Sequence, residues 1–573
     1  MKKIKEILKI FKIFNGSELI ILISLFLITA ILEVTGIFSI VPLISILFSE
    51  DKILENEYTQ YIFFKFNFID KDNYVIFLGI FVVLVNITTN LFNLLSQVTI
   101  HKLCWKNQYK INQMLFYNYF NGKFKNQTLS TAETFRQLSS DVDSLRTGII
   151  TTSLTIISKF LSILLIFLFI SYLNIKVSFS IFITITLFYL IFYKSISSII
   201  KKNAQILLSR TTEKIRVMQD MLGSYKQLKV MNLYQNYINH YHYQFNEVKK
   251  VDIKNTILSI LPRYLLEPIF VLIFIALFIL SKLGNELLNI GFYAAILYSF
   301  FRMAPAFQAI YHNYGSIKKY YPIYQNILSK LNFDILNEKN NSNLNFNDFK
   351  TLSIKNLTFS YDENKKIFLN QNITFRIGES YFVEGENGSG KTTLVDILMK
   401  IIQLEKGNIL IDDINLNDED EKNYQSLFSY TPQKNHIFET TLEKNISLET
   451  ENKFIDFDKI KKLMKYFKFE DFLNTSDEIK YKGLIATSGK NISGGQAQKI
   501  GILRSFYFNK KILIFDESTN QIDTNTEKEI VKNILMKKNN KLIIFISHNL
   551  NLKKYFDNIV SIKQGIIKIN SEK

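Results

Sequence analysis

The sequence predicts a membrane bundle of six transmembrane helices fused to an α/β domain that carries a phosphate-binding loop. Three observations predict this fold class. The first part of the 573-residue chain contains six apolar segments long enough to cross a bilayer. The second part contains short strand-like runs that alternate with helical patterns. Between one such strand and one such helix lies a loop with the spacing G-x-x-x-x-G-K-[ST].

The apolar segments justify the membrane bundle by their length. A hydrocarbon core of about 30 Å requires about 20 mostly apolar residues in helical conformation. The segments that meet this requirement are residues 17–48, 74–100, 149–172, 175–197, 257–281 and 288–312. Hydrophobic residues make up 47% of the chain, yet its mean hydropathy is only +0.08. An apolar half averaged with a polar half gives such a value.

The charges of the connecting loops orient the bundle. The loop 50–73 contains three Lys against six Asp and Glu residues, whereas the connection 101–148 contains seven Lys and Arg against three acids. The connection 194–256 contains eleven Lys and Arg against four acids. Because basic loops remain on the cytoplasmic side, we expect a multi-pass protein of the cell inner (plasma) membrane, with both termini and the phosphate-binding domain in the cytoplasm.

The overall charge and the cysteine content exclude several classes of protein. The net charge of +18 suits either nucleic acid or an anionic membrane surface, and its concentration in two connections favours the membrane. We therefore expect no nucleic-acid partner. Cys104 is the only cysteine, so the sequence predicts no internal disulfide and no C-x-x-C metal site.

Composition divides the chain into three regions. We assign residues 1–331 to a transmembrane domain with long cytoplasmic connections and residues 350–573 to a nucleotide-binding domain. Residues 332–349, between them, are rich in Asn and lack hydrophobic periodicity, which is typical of a linker.

The phosphate-binding loop occupies Gly385–Thr392, after the strand-like run 380–383 and before a helical run. Its glycines allow backbone N–H groups to close around phosphate oxygens at a helix N-terminus. Lys391 can reach the outer phosphates, and the Thr392 hydroxyl can bind Mg²⁺. The residues of this loop and helix expected to contact the nucleotide are Gly385, Asn387, Gly388, Gly390, Lys391, Thr392 and Thr393.

Further residues of the second part meet the needs of phosphoryl transfer. Asp516 and Glu517 end an apolar strand; Asp516 suits Mg²⁺ through water, and Glu517 suits the general base for the attacking water. His548 follows the next apolar strand and can reach the outermost phosphate. Tyr361 precedes the loop and can stack on adenine.

The run Ile492–Gln496, with the sequence ISGGQ, resembles the signature of ATP-binding cassette (ABC) proteins. Six spans followed by one cassette is also the layout of the exporter half-transporters of that family. The resemblance implies an exporter-type transporter that hydrolyses ATP with Mg²⁺. It places Gln433 in the loop that senses Mg²⁺ and the attacking water, and Asn520–Asp523 in the D-loop. The further nucleotide contacts that it implies are Ser493, Gly494, Gly495, Gln496 and Asp523.

The family resemblance also implies a dimer. In this family the signature serine of one cassette completes the ATP site of the other, so Ser493 is expected to face ATP held by Lys391 of a second chain. The chain keeps its base, its signature and its histidine, which favours a homodimer over a heterodimer with one degenerate site. One departure is Thr487, which stands where exporters usually have an acid that contacts the cytoplasmic loops.

Charged residues inside the predicted spans are the candidates for substrate contacts. A charge at the centre of a bilayer costs about 2.5–3.5 kcal/mol on insertion scales and is usually functional. Arg263 and Arg302 suit a phosphate or pyrophosphate, which a guanidinium binds bidentately. The alternatives are a structural ion pair, such as Arg263 with Glu267 one turn away, and an interfacial cation. Glu33 is the third candidate.

The surroundings of these charges, in the runs 32–43, 262–267 and 302–305, resemble the bacterial lipid-linked oligosaccharide flippases of protein glycosylation. That resemblance implies ATP-driven flipping of a polyprenyl-pyrophosphate glycan from the cytoplasmic to the outer leaflet, with membrane lipid and the glycan as partners. Two alternatives stay open: export of another lipid, a drug or a peptide, and an ATP-gated channel or regulator. The intact Glu517 and His548 favour turnover over gating alone.

Overall fold

The computed structural model of the protein describes residues 11–48, 63–65, 71–120, 131–283, 290–329, 348–361, 366–416, 421–469 and 492–571. The chain divides into two compact units, Met1–Asn337 and Glu338–Lys573. Most of the linker predicted at 332–349, and the unusual Thr487, lie outside the described residues.

Six long helices make up most of the first unit, and each predicted span lies on one of them to within two residues. They are α1 (Gly16–Phe48), α2 (Lys71–Phe120), α3 (Thr151–Leu173), α4 (Ile175–Gly223), α5 (Tyr234–Leu283) and α6 (Ile290–Leu328). Four helical segments of the described residues qualify as membrane spans by length and composition: Gly16–Leu47, Asp72–Phe120, Glu133–Leu173 and Ser178–Ile196. Helices α5 and α6 carry the other two predicted spans. The predicted membrane bundle is therefore confirmed.

Helices α4 and α5 continue beyond their apolar segments and pair through polar side chains. The amide of Asn203 donates to Oδ1 of Asn255 at 2.7 Å, and both residues are buried. Further along the pair, Arg210 donates to Oε1 of the buried Gln244 at 3.1 Å. Buried amides need such partners, so these contacts fix how the two extensions align.

The stretch before α3 alternates between α-helical and π-helical turns. Its parts are a helix at Thr131–Arg136, a π turn at Gln137–Asp141, a helix at Val142–Leu145 and a π turn at Arg146–Ile150. A Cβ added to Gly148, in the second π turn, would lie 2.0 Å from the ring of Tyr320 in α6. The π turn therefore approaches α6 closely only because residue 148 has no side chain.

The second unit contains two sheets and six helices among its described residues. The strands are β1 (Thr351–Ser360), β2 (Lys366–Arg376), β3 (Ser380–Gly385), β4 (Lys406–Ile411), β5 (Ile414–Asn415), β6 (Phe428–Thr431), β7 (Ile512–Asp516), β8 (Leu542–Ile546), β9 (Asn558–Lys563) and β10 (Ile566–Ser571). The helices are α7 (Lys391–Leu398), α8 (Glu421–Gln425), α9 (Leu442–Ser447), α10 (Phe457–Tyr466), α11 (Gly494–Tyr507) and α12 (Thr524–Leu535).

The larger sheet has the order β10-β9-β3-β8-β7-β6, and all its neighbouring strands are parallel except β10 and β9. Its central strands β7 and β8 are fully buried, as their continuous apolar sequences require. The smaller sheet, β2-β1-β4-β5, is antiparallel. Because β3, β6, β7 and β8 are parallel, the loops after their carboxyl ends emerge at one edge of the sheet.

Candidate nucleotide site and membrane charge clusters

The phosphate-binding loop connects β3 to α7, as predicted. Gly388 and Gly390 adopt φ values of +80° and +105°, which residues with a Cβ rarely reach. Nζ of Lys391 donates to the carbonyl oxygens of Gly385 and Glu386 at 2.8 and 3.0 Å, and the residue is buried. The lysine thus holds the loop in shape from inside, at the N-terminus of α7, where backbone N–H groups favour an anion.

Tyr361 lies at the rim of this loop. Its hydroxyl lies 3.2 Å from Oγ1 of Thr393, and its ring contacts Phe359 edge to face at a centroid distance of 5.0 Å. The residue is about half exposed. The arrangement fits the predicted adenine platform.

Two of the three residues expected at Mg²⁺, Thr392 and Asp516, lie together next to the loop. The side chains of Thr392 and Asp516 are hydrogen-bonded. The hydroxyl of Tyr430 donates to Oδ2 of Asp516 at 3.2 Å. Burial, and secondarily the neighbouring Glu517, raise the pKa of the Asp516 carboxyl above its usual range. A buried carboxylate is unfavourable without a compensating positive charge, and Mg²⁺ prefers oxygen ligands. The pair Thr392 and Asp516 therefore fits a divalent cation.

Asp396 in α7 adds a second carboxyl that sequence reasoning missed. Burial, and then the charge of Asp516, raise its pKa to about 6. The two carboxyls belong to segments 120 residues apart in the chain, so only the fold brings their charges together.

Glu517 stands at the end of β7 with a φ of +47°, a left-handed conformation that is uncommon outside glycine. Gln433 donates to its Oε2 at 2.6 Å, and Nε2 of His548 lies 2.9 Å from its Oε1. Asn520 also donates to Oε2, at 3.0 Å. The structure therefore brings the three predicted catalytic residues together and adds Asn520, which sequence reasoning assigned only to the D-loop.

The signature residues form the N-terminus of α11. Ser493 accepts from the backbone N–H of Gln496, and Oε1 of Gln496 accepts from the N–H of Ser493, so the two form a capping box. A Cβ on Gly494 would lie 1.8 Å from Oε1 of Gln521, and one on Gly495 would lie 2.9 Å from the backbone oxygen of Gln521. The paired glycines thus allow the D-loop to pack directly on the signature.

Asp523 is the N-cap of α12 and accepts from the N–H of Thr526 at 2.9 Å. That backbone hydrogen bond lowers the pKa of the Asp523 carboxyl. Within this chain Asp523 therefore starts a helix, and its contact with a nucleotide stays a prediction.

In the first unit, Arg302 of α6 is held by two polar neighbours. Its Nη2 donates to Oδ1 of Asn86 in α2 and, at 2.8 Å, to the hydroxyl of Tyr298. The guanidinium also lies 5.3 Å from the centroid of the Tyr298 ring. Among the described contacts of Arg302 there is no carboxylate. Its guanidinium is hydrogen-bonded instead to the neutral side chains of Asn86 and Tyr298.

Glu33, by contrast, lies in an ion pair. Oε1 of this buried carboxylate lies 3.7 Å from Nζ of Lys159 in α3 and accepts from Asn93 of α2 at 3.3 Å. Sequence reasoning did not foresee Lys159 or Asn93 as its partners. Arg263 belongs to α5, but its side chain, and hence its predicted pairing with Glu267, lies outside the described residues. The substrate roles of Glu33 and Arg263 stay predictions.

Comparison with known families covers both units. A family profile described as ABC transporter transmembrane region matches residues 19–300, and one described as ABC transporter matches residues 368–520. The chain is 32% identical over 233 residues to the lactococcin-G-processing and transport ATP-binding protein LagD of Lactococcus lactis, a match that covers 40% of this chain and 33% of that protein. It is 29% identical over 219 residues to the ATP-dependent lipid A-core flippase of Haemophilus influenzae, covering 38% and 37%. The matches span only about a third to two-fifths of these relatives.

A solved structure extends the likeness to the whole fold. The structure of a bacterial Atm1-family ABC exporter with ATP bound superimposes with a TM-score of 0.80 at 16% sequence identity, covering 97% of this chain and 96% of that one. The predicted exporter fold is confirmed.

Proposed function

We propose that this chain, which belongs to the ABC transporters as a half-transporter with one membrane domain and one ATP-binding domain, uses ATP to flip a lipid-linked oligosaccharide across the inner membrane. The chain is a multi-pass inner-membrane protein whose ATP-binding domain is cytoplasmic, and proteins of this family couple ATP hydrolysis to transport. The likeness to an exporter fold supports the proposed direction, from the cytoplasmic to the outer leaflet.

The ATP-binding domain supplies the energy. The loop N–H groups and Lys391 would bind the phosphates, with Tyr361 against the adenine. Thr392, Asp516 and Gln433 would hold Mg²⁺, which neutralises charge on the transferred phosphoryl group. Glu517 would take a proton from the attacking water, while His548 contacts the outermost phosphate. The contacts of Gln433 and His548 with Glu517 support this assignment.

The site is completed by a second copy of the chain in this proposal. One chain has one cassette, so Ser493, Gly494, Gly495 and Gln496 would contact ATP bound to the partner. The intact signature, base and histidine support two equivalent sites and therefore a homodimer.

The single observation that supports an anionic lipid substrate is the environment of Arg302. A guanidinium presents five N–H donors in a planar fork, and the described contacts of Arg302 use only Nε and Nη2. Asn86 and Tyr298 fix its plane without neutralising it. A pyrophosphate between a glycan and a polyprenyl chain would supply the missing negative charge. The lipid A-core flippases among the relatives support a lipid-linked substrate class.

The alternative is export of another lipid, a drug or a peptide. The lactococcin-G-processing and transport ATP-binding protein LagD among the relatives supports a peptide. An ATP-gated channel or regulator is less favoured, because the residues proposed for hydrolysis all lie together around Glu517.

The test is ATPase activity of the purified protein in lipid vesicles, with and without a polyprenyl-pyrophosphate oligosaccharide. We expect the lipid to stimulate turnover, and Arg302→Ala to weaken half-maximal stimulation by about tenfold or more at unchanged basal turnover. Arg216→Ala is the matched control, because that arginine is exposed and its described ion pair is with Glu213, one helix turn away. Turnover indifferent to the lipid in every variant would reject this substrate and favour another lipid, a drug or a peptide.

A further inference from the structure

The carboxylate of Glu517 is surrounded by three side-chain donors. Gln433 and Asn520 both donate to Oε2, at 2.6 and 3.0 Å, while His548 lies against Oε1 at 2.9 Å. The Glu517 side chain is only 14% exposed, so water provides little of its solvation. The direction in which this carboxylate points is therefore set by these three neighbours.

Asn520 differs from the other two donors in its position. It lies three residues after Glu517, in the turn that leaves β7, and its backbone N–H approaches the Glu517 carbonyl at 3.4 Å. Gln433 and His548 come from the loops after β6 and β8, the strands on either side of β7. A local contact moves with Glu517, whereas the other two depend on where neighbouring loops lie.

Gln433 and His548 also have other roles under the proposed function. Contact with the outermost phosphate would turn His548 away from Glu517, and Mg²⁺ would engage the amide oxygen of Gln433 as well. Asn520 has no second role of this kind, because among the described residues its amide donates only to Glu517. It is therefore the donor whose one described side-chain contact is with Glu517, whatever ATP and Mg²⁺ require of the others.

We propose that Asn520 is the positioning residue of the general base. Its amide holds Oε2 of Glu517, which leaves Oε1 to accept the proton of the attacking water once His548 turns to the phosphate. The inference rests on the proposed role of Glu517 as the base. It gives the first D-loop residue a function within its own chain, separate from any contact with a second cassette.

The experiment measures steady-state ATP hydrolysis by the full chain in lipid vesicles. Asn520→Ala removes the donor, and Asn520→Asp keeps the size but places a second carboxylate beside Glu517. We expect both to lower kcat by about 10- to 100-fold, with the KM for ATP within about twofold of the native value. Asn520→Gln retains an amide and should recover part of the loss. Asn533→Asp, at an amide in α12 that donates to the Tyr466 carbonyl, is the matched control and should leave kcat unchanged.

A second background separates positioning from folding. If Asn520 acts through Glu517, Asn520→Ala should cause no further loss in a Glu517→Gln chain. An equal fractional loss in both backgrounds, with a lower melting temperature, would show a structural role and overturn the inference. Native kcat in Asn520→Ala beside an inactive Glu517→Gln would overturn it as well. Retained turnover in Glu517→Gln would instead reject Glu517 as the base, and with it the proposed mechanism.

Discussion

At the scale of single residues, the cassette places two carboxyls close together beneath its phosphate-binding loop. Asp396 and Asp516 both have raised pKa values, chiefly through burial, and Asp396 also through the charge of Asp516. Such a pair opposes folding when both groups are ionised and no cation is bound. The two carboxyls therefore lower the stability of the Mg²⁺-free protein, and a bound Mg²⁺ would offset that loss.

Asp396→Asn should stabilise the protein in a pH-dependent way. A carboxyl whose folded pKa is about 6, above its value of about 3.9 when unfolded, costs stability as pH rises between these values, and the cost is complete above pH 6. Without Mg²⁺, we expect the variant to raise the melting temperature of the cassette by about 2–4 °C at pH 8 and by less at pH 5. Thermal unfolding at both pH values measures this.

The control for that measurement is Asp413→Asn. Asp413 has an 83% exposed side chain and an ion pair with Lys355 at 3.1 Å, so its neutralisation should change the melting temperature little at either pH. A gain from Asp396→Asn that is the same at pH 5 and pH 8 would contradict the electrostatic explanation.

The candidate nucleotide residues could be proposed from the sequence because each is marked by its neighbours in the chain. Glycines precede Lys391, an apolar strand ends at Asp516 and another precedes His548, so motif and context are both local. The partners of Glu33 were not predictable, because Lys159 is 126 positions away and meets it only when α1 and α3 pack. Asn520 is only three residues after Glu517, so the sequence places a donor near the proposed base. That it reaches the carboxylate depends on the conformation of the turn after β7.

At the scale of secondary structure, apolar length predicted the spans but not the helices. The predicted span 175–197 is the first half of α4, which continues to Gly223 because polar contacts with α5 replace lipid as its surroundings. The two π turns before α3 leave no hydropathy signal. Each inserts one residue into a helical turn, and the second contains Gly148, which lies against Tyr320 of α6.

Gly148→Ala should destabilise the membrane unit. Its new methyl group would overlap the Tyr320 ring, and overpacking of this kind costs about 1–3 kcal/mol. Tyr320→Ala should recover part of that loss in the double variant, since it removes the obstructing ring. Thermal unfolding of the purified chain in detergent measures both effects.

The matched control is Gly79→Ala in α2, where no atom lies within 4 Å of an added Cβ. There the substitution should be neutral or slightly stabilising, because alanine favours a helix over glycine. Equal melting temperatures for Gly148→Ala and Gly79→Ala would show that the π turn before α3 does not pack on α6 as closely as described.

At the scale of the whole molecule, the order of six spans and one cassette was predictable from hydropathy and motifs, because each domain has its own pattern. The identity of the substrate was not. The candidate substrate residues are a few charges whose neighbours come from different helices, as Arg302 and Asn86 show at a separation of 216 residues. Assembly was predictable only in part. The signature residues Ser493 and Gly494 are exposed at the N-terminus of α11, and the residues proposed to face them belong to a second chain.

The proposed homodimer makes a prediction that separates sites shared between chains from sites within one chain. Lys391→Ala and Ser493→Arg should each inactivate a dimer built from that variant alone, since the first removes phosphate binding and the second blocks the signature. Co-expression with two different affinity tags allows the mixed dimer to be purified. If Lys391 of one chain works with Ser493 of the other, the mixed dimer has one intact site of two. We expect ATP hydrolysis at up to about half of the native rate.

The alternative arrangement gives the opposite result. If Lys391 and Ser493 of the same chain form the site, every site in the mixed dimer carries one defect, and hydrolysis should stay at the level of the single variants. A dimer of two Lys391→Ala chains carrying the two tags is the control for activity gained through purification itself. Because both defects are present in every mixed dimer, recovered turnover can come only from complementation between chains. Such recovery would establish that the functional unit is the pair.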